Sequence, residues 1–319
     1  MNIKCTQNIY KSANGVSNVA YYILVPEDSH IRGIVQISHG MCEYFSRYTA
    51  FAKYLCGLGF IVCGNDHIGH GQSLAEGAPR LYFGPKGSWQ TVVDDLYTLR
   101  CHCGKEFPGV PYALLGHSMG SFLARTYLIR YPGTVQAAVI MGTGQQSAAM
   151  TAGGRLVAAR ETRRLGGDDK VSKLAEGLAF GSYNKLFAPN RTSCDWLSLD
   201  PGNVDRYLAD PLCGGYATLG LFREMLSGLD FIRDPKNLAK MNANTPVLFV
   251  AGEMDPVGDC GRGVWKAAQS FRRAGLRDVT VTIYPEARHE ILNDFCREQV
   301  QSDILTWLRD RLKLATPEA

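Results

Sequence analysis

Between Pro111 and Tyr131 the sequence changes period twice, and that change constrains everything around it. Tyr112, Ala113, Leu114 and Leu115 form a short unbroken apolar run, the pattern of a strand buried on both faces. Gly116-His117-Ser118-Met119-Gly120 follows. Phe122, Leu123, Thr126, Tyr127 and Ile129 then recur at helical spacing until Tyr131-Pro132-Gly133 stops the helix. A strand that enters a helix through so short a turn forces strained backbone angles on Ser118, and glycine on either side lets neighbouring chain approach without a Cβ clash. G-x-S-x-G in this setting predicts a nucleophile elbow. Ser118 Oγ is presented at the carboxyl end of the strand, and the helix aims N–H groups and its positive dipole end at a developing oxyanion. An ordinary glycine-rich turn is the competing reading, and the rest of the chain weighs against it.

The flanking sequence repeats the alternation. Strands are expected at Val19–Val25, Gly33–Ser38, Phe60–Cys63, Val135–Met141, Pro246–Ala251 and Val279–Tyr284. Amphipathic helices are expected at Arg47–Leu58, Trp89–Glu106, about Gly263–Ala274 and about Asn293–Leu314. Short buried strands alternating with such helices predict an α/β fold, a mostly parallel sheet covered on both faces, with its site beyond the carboxyl ends of the strands. Residues 145–228 break the pattern. They hold helical pieces (Arg155–Leu165, Lys170–Phe180, Gly202–Leu208, Leu219–Leu229) and no convincing buried strand. We expect one domain, 1–319, with a core of 1–144 and 229–319 and a helical cap of 145–228 inserted between core strands. Such a cap shields a reaction from water and shapes its pocket; a packing elaboration without substrate contact is the alternative.

Composition excludes several classes. With 45% hydrophobic and 20% charged residues and a net charge of +4, the chain of 319 residues has no basic footprint for nucleic acid. The opening MNIKCTQNIYKSANG has no apolar h-region and no stretch approaches a membrane span. The ten cysteines are scattered and read as buried reduced thiols, so a cytoplasmic protein is expected. Cys101-His102-Cys103 lies in an expected helix without a partner pair, and neither a metal nor a cofactor is expected.

Ser118 needs a base within hydrogen-bond reach, and the base needs an orienting carboxylate. Of the seven histidines, His117 adjoins the nucleophile and must point away from it. His39, His67 and His70 belong to loops they are expected to shape, His30 sits in a polar turn, and His102 is mid-helix. His289 remains, just past the last expected strand and before the last helix. For the acid, Gly252-Glu253-Met254-Asp255-Pro256-Val257 follows the strand at 246–251. Asp255 is favoured over Glu253 and Asp259. The oxyanion hole is expected from the backbone N–H groups of Met119 and of the His39-Gly40-Met41 loop, Met41 foremost.

Four stretches carry a resemblance: HGMCEYFSRY (39–48), NDHIGHGQS (65–73), GHSMGS (116–121) and YPEARHEILND (284–294). The chain resembles the monoacylglycerol lipase-like or lysophospholipase-like branch of the α/β-hydrolases, grouped with serine aminopeptidases, over nearly its whole length. The resemblance implies an α/β-hydrolase fold with Ser118 as nucleophile, Asp255 as acid, His289 as base, and Met41 and Met119 as oxyanion donors. Tyr44 stands where many relatives have histidine, Ile68 where many have arginine, and Ser121 where glycine usually closes the elbow.

The expected activity is hydrolysis of a small-molecule acyl ester, a monoacylglycerol or lysophospholipid, through an acyl-enzyme. The apolar cap residues Leu156, Val157, Leu174, Leu178, Phe180, Leu186 and Phe187 suit an acyl tunnel, although any one of them could simply pack the cap onto the core. Arg155, Arg160, Arg163, Arg164, Lys170 and Lys173 suit either transient contact with an anionic membrane surface or, with Glu161, Asp168 and Asp169 interleaved, a solvated face. The alternatives are a small-ester carboxylesterase, a prolyl-type aminopeptidase using Glu161, Glu176 or Asp195 to hold an amine, and a non-catalytic binding protein.

Overall fold

Strands apolar on both faces need a cover on both faces, and the computed structural model, which describes residues 2–27 and 29–313, supplies it. Eight strands, β1 (Ile3–Lys11), β2 (Asn18–Pro26), β3 (Gly33–Ser38), β4 (Phe60–Asn65), β5 (Tyr112–His117), β6 (Ala137–Met141), β7 (Val247–Gly252) and β8 (Val279–Tyr284), form one sheet. The spatial order is β1-β2-β4-β3-β5-β6-β7-β8. β2 is antiparallel to β1 and β4, and every other pairing is parallel. Alternate side chains enter two separate cores, because successive Cβ atoms of a strand point to opposite faces. Ile34, Ile61, Leu114, Ile140 and Phe249 meet α2 (Ser88–Glu106), α3 (Met119–Arg130) and α9 (Arg262–Arg273) on one side. Val35, Val62, Leu115, Val139 and Val250 meet α1 (Thr49–Cys56) and α10 (Arg297–Arg311) on the other.

Between β6 and β7 the chain leaves the sheet for α4 (Ala148–Leu165), α5 (Lys173–Phe180), α6 (Pro201–Ala209), α7 (Leu219–Phe231) and the single turn α8 (Pro235–Leu238). α4 starts seven residues before the expected Arg155. Ser147 caps it by accepting the Met150 N–H at 3.2 Å, and Gly154 packs in close contact with Leu226 of α7.

Other expectations change for equally local reasons. β1 was not legible: it is a polar edge strand, mostly exposed, and an edge strand needs no apolar face. The expected helix at Arg47–Leu58 is a 3-10 turn at Phe45–Tyr48 followed by α1. α10 begins at Arg297 instead of Asn293, because the Asp294 carboxylate takes N–H groups of Leu199, Arg288 and Phe295 and fixes a loop there. Its expected last residue, Leu314, lies outside the described residues. The cysteines are all free, but only Cys42, Cys56, Cys63, Cys103 and Cys213 are buried, with Cys5 and Cys260 exposed. No helix among the described residues is long and apolar enough to cross a membrane.

Candidate active site

The turn from β5 to α3 is built as its sequence demands. Ser118 sits at φ 54°, ψ −121°, a conformation that costs a non-glycine residue of order 1–3 kcal/mol and persists only when its surroundings hold it. Those surroundings are specific: Ser118 donates its N–H to the Met141 carbonyl at 3.0 Å, and Ser121 Oγ donates to the Ser118 carbonyl at 2.6 Å. A Cβ on Gly116 would lie 2.3 Å from the Gly120 carbonyl oxygen, and one on Gly120 only 2.0 Å from that of Ser38. Met119 opens α3, so its N–H belongs to the unpaired first turn.

His289 and Asp255 come from the loops after β8 and β7. Gly252 makes their meeting possible, since a Cβ there would stand 2.2 Å from the carbonyl oxygens of both Ala287 and Arg288. Met254 N–H then donates to the Ala287 carbonyl at 2.9 Å. His289 Nδ1 lies 3.0 Å from Asp255 Oδ2, and the other carboxylate oxygen accepts the Val257 N–H at 2.9 Å. Both residues are buried. The competing acids are occupied elsewhere: Asp259 is half exposed and paired with Arg262, and Glu253 accepts the Glu286 N–H.

A layer of charge lies directly beneath. Both ring nitrogens of His117 face oxygen, Nδ1 towards Glu43 Oε1 at 3.1 Å and Nε2 towards the His289 carbonyl at 3.3 Å. That favours the imidazolium: burial pulls the His117 pKa down, but the hydrogen bond and charge of Glu43 outweigh it and hold it raised. Burial likewise pushes Glu43 up, yet His117, Arg47 and Tyr48 bring it from the ordinary 4.5 to about 2. Glu43 Oε1 also accepts the Gly40 N–H at 2.5 Å, which commits that donor and leaves Met41 as the next N–H of the loop. Arg47 bridges to Glu290, beside His289, and Asn203 of α6 closes the layer by donating to Glu290 at 2.7 Å. The i,i+4 pair Glu43 and Arg47 within HGMCEYFSRY was the sequence signal for this network, and it went unread. Also unread was Trp196, whose ring lies 5.1 Å from that of His289.

His39, His67 and His70 do shape loops. His39 Nε2 accepts the His67 N–H at 2.9 Å, and His70 Nδ1 meets the Ile68 carbonyl at 3.0 Å. Burial pulls His70 down to about 4, so its ring is neutral. Among the departures from the family pattern, Tyr44 donates to Asp210 at 2.8 Å and Ile68 is buried.

Ser118, His289, Met41 and Met119 all line one cavity of about 800 Å³, with Asp255 buried behind them. Cys42, Phe122 and Val257 add to it from the core, and most of the remaining wall comes from the segment between β6 and β7, including Val157, Phe180, Tyr183, Phe222 and Leu226. Of the apolar residues expected to form an acyl tunnel, Val157, Leu178 and Phe180 are in the wall, whereas Leu156, Leu174 and Leu186 are more than half exposed and not part of it, and Phe187, also outside it, packs its ring under the Arg288 guanidinium. Helical spacing tells which residues share a face but not which face meets the cavity. A strained serine, a buried imidazole–carboxylate pair and a mostly apolar cavity can perform acyl transfer.

A family model described as serine aminopeptidase, S33 (Hydrolase_4) matches residues 29–295. The chain is similar to a monoacylglycerol lipase of Mycolicibacterium smegmatis, 29% identical over 96% of this chain and 98% of that protein. It is also similar to human monoglyceride lipase, 26% identical over 89% of this chain and 84% of that protein. Among solved structures, a thermostable carboxyl esterase of Bacillus coagulans superposes with a TM-score of 0.89 at 27% identity, covering 97% of this chain and 99% of that one.

Proposed function

The chain belongs to the serine aminopeptidase S33 family of α/β-hydrolases, and on that premise we propose that it is a serine hydrolase cleaving carboxylic esters of single-chain lipids of monoacylglycerol or lysophospholipid type. It is a carboxylic ester hydrolase by its relatives. The serine mechanism and the lipid substrate rest on one observation: Ser118 and the Asp255-paired His289 open onto the same mostly apolar cavity. On this reading residues 145–228 act as a helical cap over a core of 1–144 and 229–319.

Ser118 Oγ attacks the ester carbonyl carbon while His289 Nε2 takes its proton. The carbonyl π electrons move onto oxygen, where the N–H groups of Met41 and Met119 hold the oxyanion. Collapse expels the alkoxide, which leaves as the alcohol with the proton from His289. A water oxygen then adds to the acyl carbon as His289 takes its proton, and collapse of this second tetrahedral intermediate breaks the bond to Ser118 Oγ, releases the carboxylic acid and returns the proton to Ser118. Asp255 holds the imidazole tautomer and stabilises the imidazolium without taking the proton.

The test is a p-nitrophenyl ester series from acetyl to palmitoyl, beside monoacylglycerol, lysophosphatidylcholine and proline β-naphthylamide, with Ser118→Ala as the blank. A preference for medium or long chains, lost in Ser118→Ala, supports the reading. Activity confined to acetyl and butyryl esters makes this a small-ester carboxylesterase, turnover of the proline amide alone makes it an aminopeptidase, and no Ser118-dependent turnover makes it a binding protein.

The outer surface of the same segment exposes Met150, Leu156, Leu174, Leu178 and Leu186 beside the exposed cations Arg160, Arg163 and Lys173. Met150 and Leu178 also line the cavity, so this surface reaches its rim. We propose that it rests transiently on an anionic membrane surface.

A further inference from the structure

The residues on either side of His289 tie it to the segment between β6 and β7. Arg288 Nη1 donates to the carbonyls of Asp195 and Ser198 at 2.5 and 3.2 Å, and the Glu290 N–H donates to the Leu197 carbonyl at 2.8 Å. Asp294 accepts the Leu199 N–H at 2.9 Å. Residues 195–199 therefore form a strap bonded to the loop that carries the base, and Asp195, Leu197 and Ser198 within it are buried. The strap delivers one large side chain to the site. Trp196 lines the cavity, with its ring 5.1 Å from that of His289 and inclined to it by 38°. Its own place is fixed, because Asn184 Oδ1 accepts its backbone N–H at 3.0 Å and the Tyr183 ring packs edge-on against it at 5.2 Å.

Filling that space needs only an apolar side chain of the right volume. An aromatic face does something more, because its π electrons attract a cation within about 6 Å of the ring. The proton that Ser118 gives up makes His289 a cation, and the groups around the imidazole divide over that charge. Asp255, from the loop after β7, favours it. His117, at the end of β5, opposes it: its ring lies 4.7 Å from that of His289, and Glu43 and Glu290 act on it to favour its own imidazolium. Tyr183, which feels Asp255, is kept a neutral phenol by burial. Trp196 thus meets the imidazole with a π face, from a strap that both neighbours of His289 hold in place.

We propose that Trp196 is a positioning residue for His289: the strap at 195–199 holds its indole against the imidazole, where it favours the imidazolium formed at each proton transfer. This rests on the serine-hydrolase reading above. A side chain without a π face at position 196 fills part of the same space and offers no such attraction. The loss then acts through His289 and is felt by every ester alike. A residue that served only as pocket wall would matter instead for those acyl chains that reach it.

The experiment measures kcat and KM of wild type, Trp196→Phe and Trp196→Leu on p-nitrophenyl esters from acetyl to palmitoyl. It also follows the His289 imidazole by NMR as pH is varied, its signal identified by its absence in His289→Gln. We expect Trp196→Leu to lower kcat by about two- to fivefold on every ester, with the order of preference among chain lengths unchanged. The midpoint of the His289 titration should fall by about half a pH unit relative to wild type, because the cation has lost a favourable neighbour. Trp196→Phe, which keeps a smaller π face, should retain most of both. A midpoint that stays or rises in Trp196→Leu overturns the proposal, and so does a loss of kcat confined to particular chain lengths. A lower melting temperature in both variants with the His289 titration unmoved makes Trp196 a packing residue. The titration needs no turnover, and Ser118-dependent hydrolysis by wild type tests the serine-hydrolase reading separately, so the two can fail independently.

Discussion

Asp255 accepts His289 Nδ1–H with one oxygen and the Val257 N–H with the other, so its place is fixed by the bonds it receives. Asn at 255 keeps the shape but offers an N–H where the imidazole needs an acceptor. Asp255→Asn should therefore leave the melting temperature nearly unchanged and lower kcat by about 10⁴; a kcat within tenfold of wild type would remove Asp255 from the proposed mechanism. Glu43 invites a stability measurement instead. Its carboxyl is depressed from 4.5 to about 2, so the stabilisation it gives is full above about 4.5 and is lost as pH falls toward about 2. His117 is raised above 6.5, so its share is full below 6.5 and fades as pH rises through its higher folded value. The pair should stabilise most between about pH 4.5 and 6.5. Glu43→Gln, which leaves a buried imidazolium uncompensated, should cost about 3 kcal/mol there. The melting-temperature gap to wild type should narrow towards pH 2, and a gap independent of pH would show that the pair is not ionised in the folded protein.

The elements position these residues through a few close approaches. β7 ends in Gly252, and the backbone of residues 287–288 lies where a side chain would be. Gly252→Ala should push the Asp255 and His289 loops apart, costing about 1–3 kcal/mol of stability by overpacking. A displacement of about 1 Å at the imidazole should cost about 10²-fold in kcat. Gly153 of α4 gives the contrasting case. It is helical with nothing within 4 Å of a built Cβ, so Gly153→Ala should raise stability by about 1 kcal/mol. Thermal melts of the two variants check both expectations, and equal shifts would mean that the contact at Gly252 is not what joins the loops. α4 also shows a limit of sequence reading. The helix is expected only from Arg155, and the neighbouring α7 makes Gly154 a packing contact within it.

For the whole molecule, the link between cavity and surface is made by Met150 and Leu178, which are exposed and also line the cavity. Of the six cations at positions 155 to 173, three are already paired, Arg155 with Asp230, Arg164 with Glu161 and Lys170 with Asp169. Membrane contact must then draw on Arg160, Arg163 and Lys173 together with the apolar side chains. Binding to anionic vesicles should be measurable by co-sedimentation at low ionic strength and should weaken as salt shortens the Debye length from about 30 Å at 0.01 M to about 8 Å at 0.15 M. Leu156→Glu should weaken it further. Absence of binding to anionic vesicles at low salt would leave this surface as a solvated face.

What the sequence by itself determined is what short-range sterics and periodicity control. The run Tyr112–Leu115, the five-residue turn and the stripe from Phe122 dictate a strand, a strained serine and a helix, because backbone clashes and side-chain period act within a few residues. The apolar runs dictate a sheet covered twice. The sequence favoured Asp255 by its place after the strand, but only the tertiary structure brought it to His289, while Glu253 accepts the Glu286 N–H and Asp259 pairs with Arg262. It alone joined Glu43, His117 and Glu290 into one charged layer from three remote stretches of the chain. It alone set Glu176 in the cavity wall while Glu161 and Asp195 found partners away from it. The reason is that burial and hydrogen-bond satisfaction are properties of a neighbourhood assembled from remote parts of the chain, and no local pattern encodes which donors will arrive there.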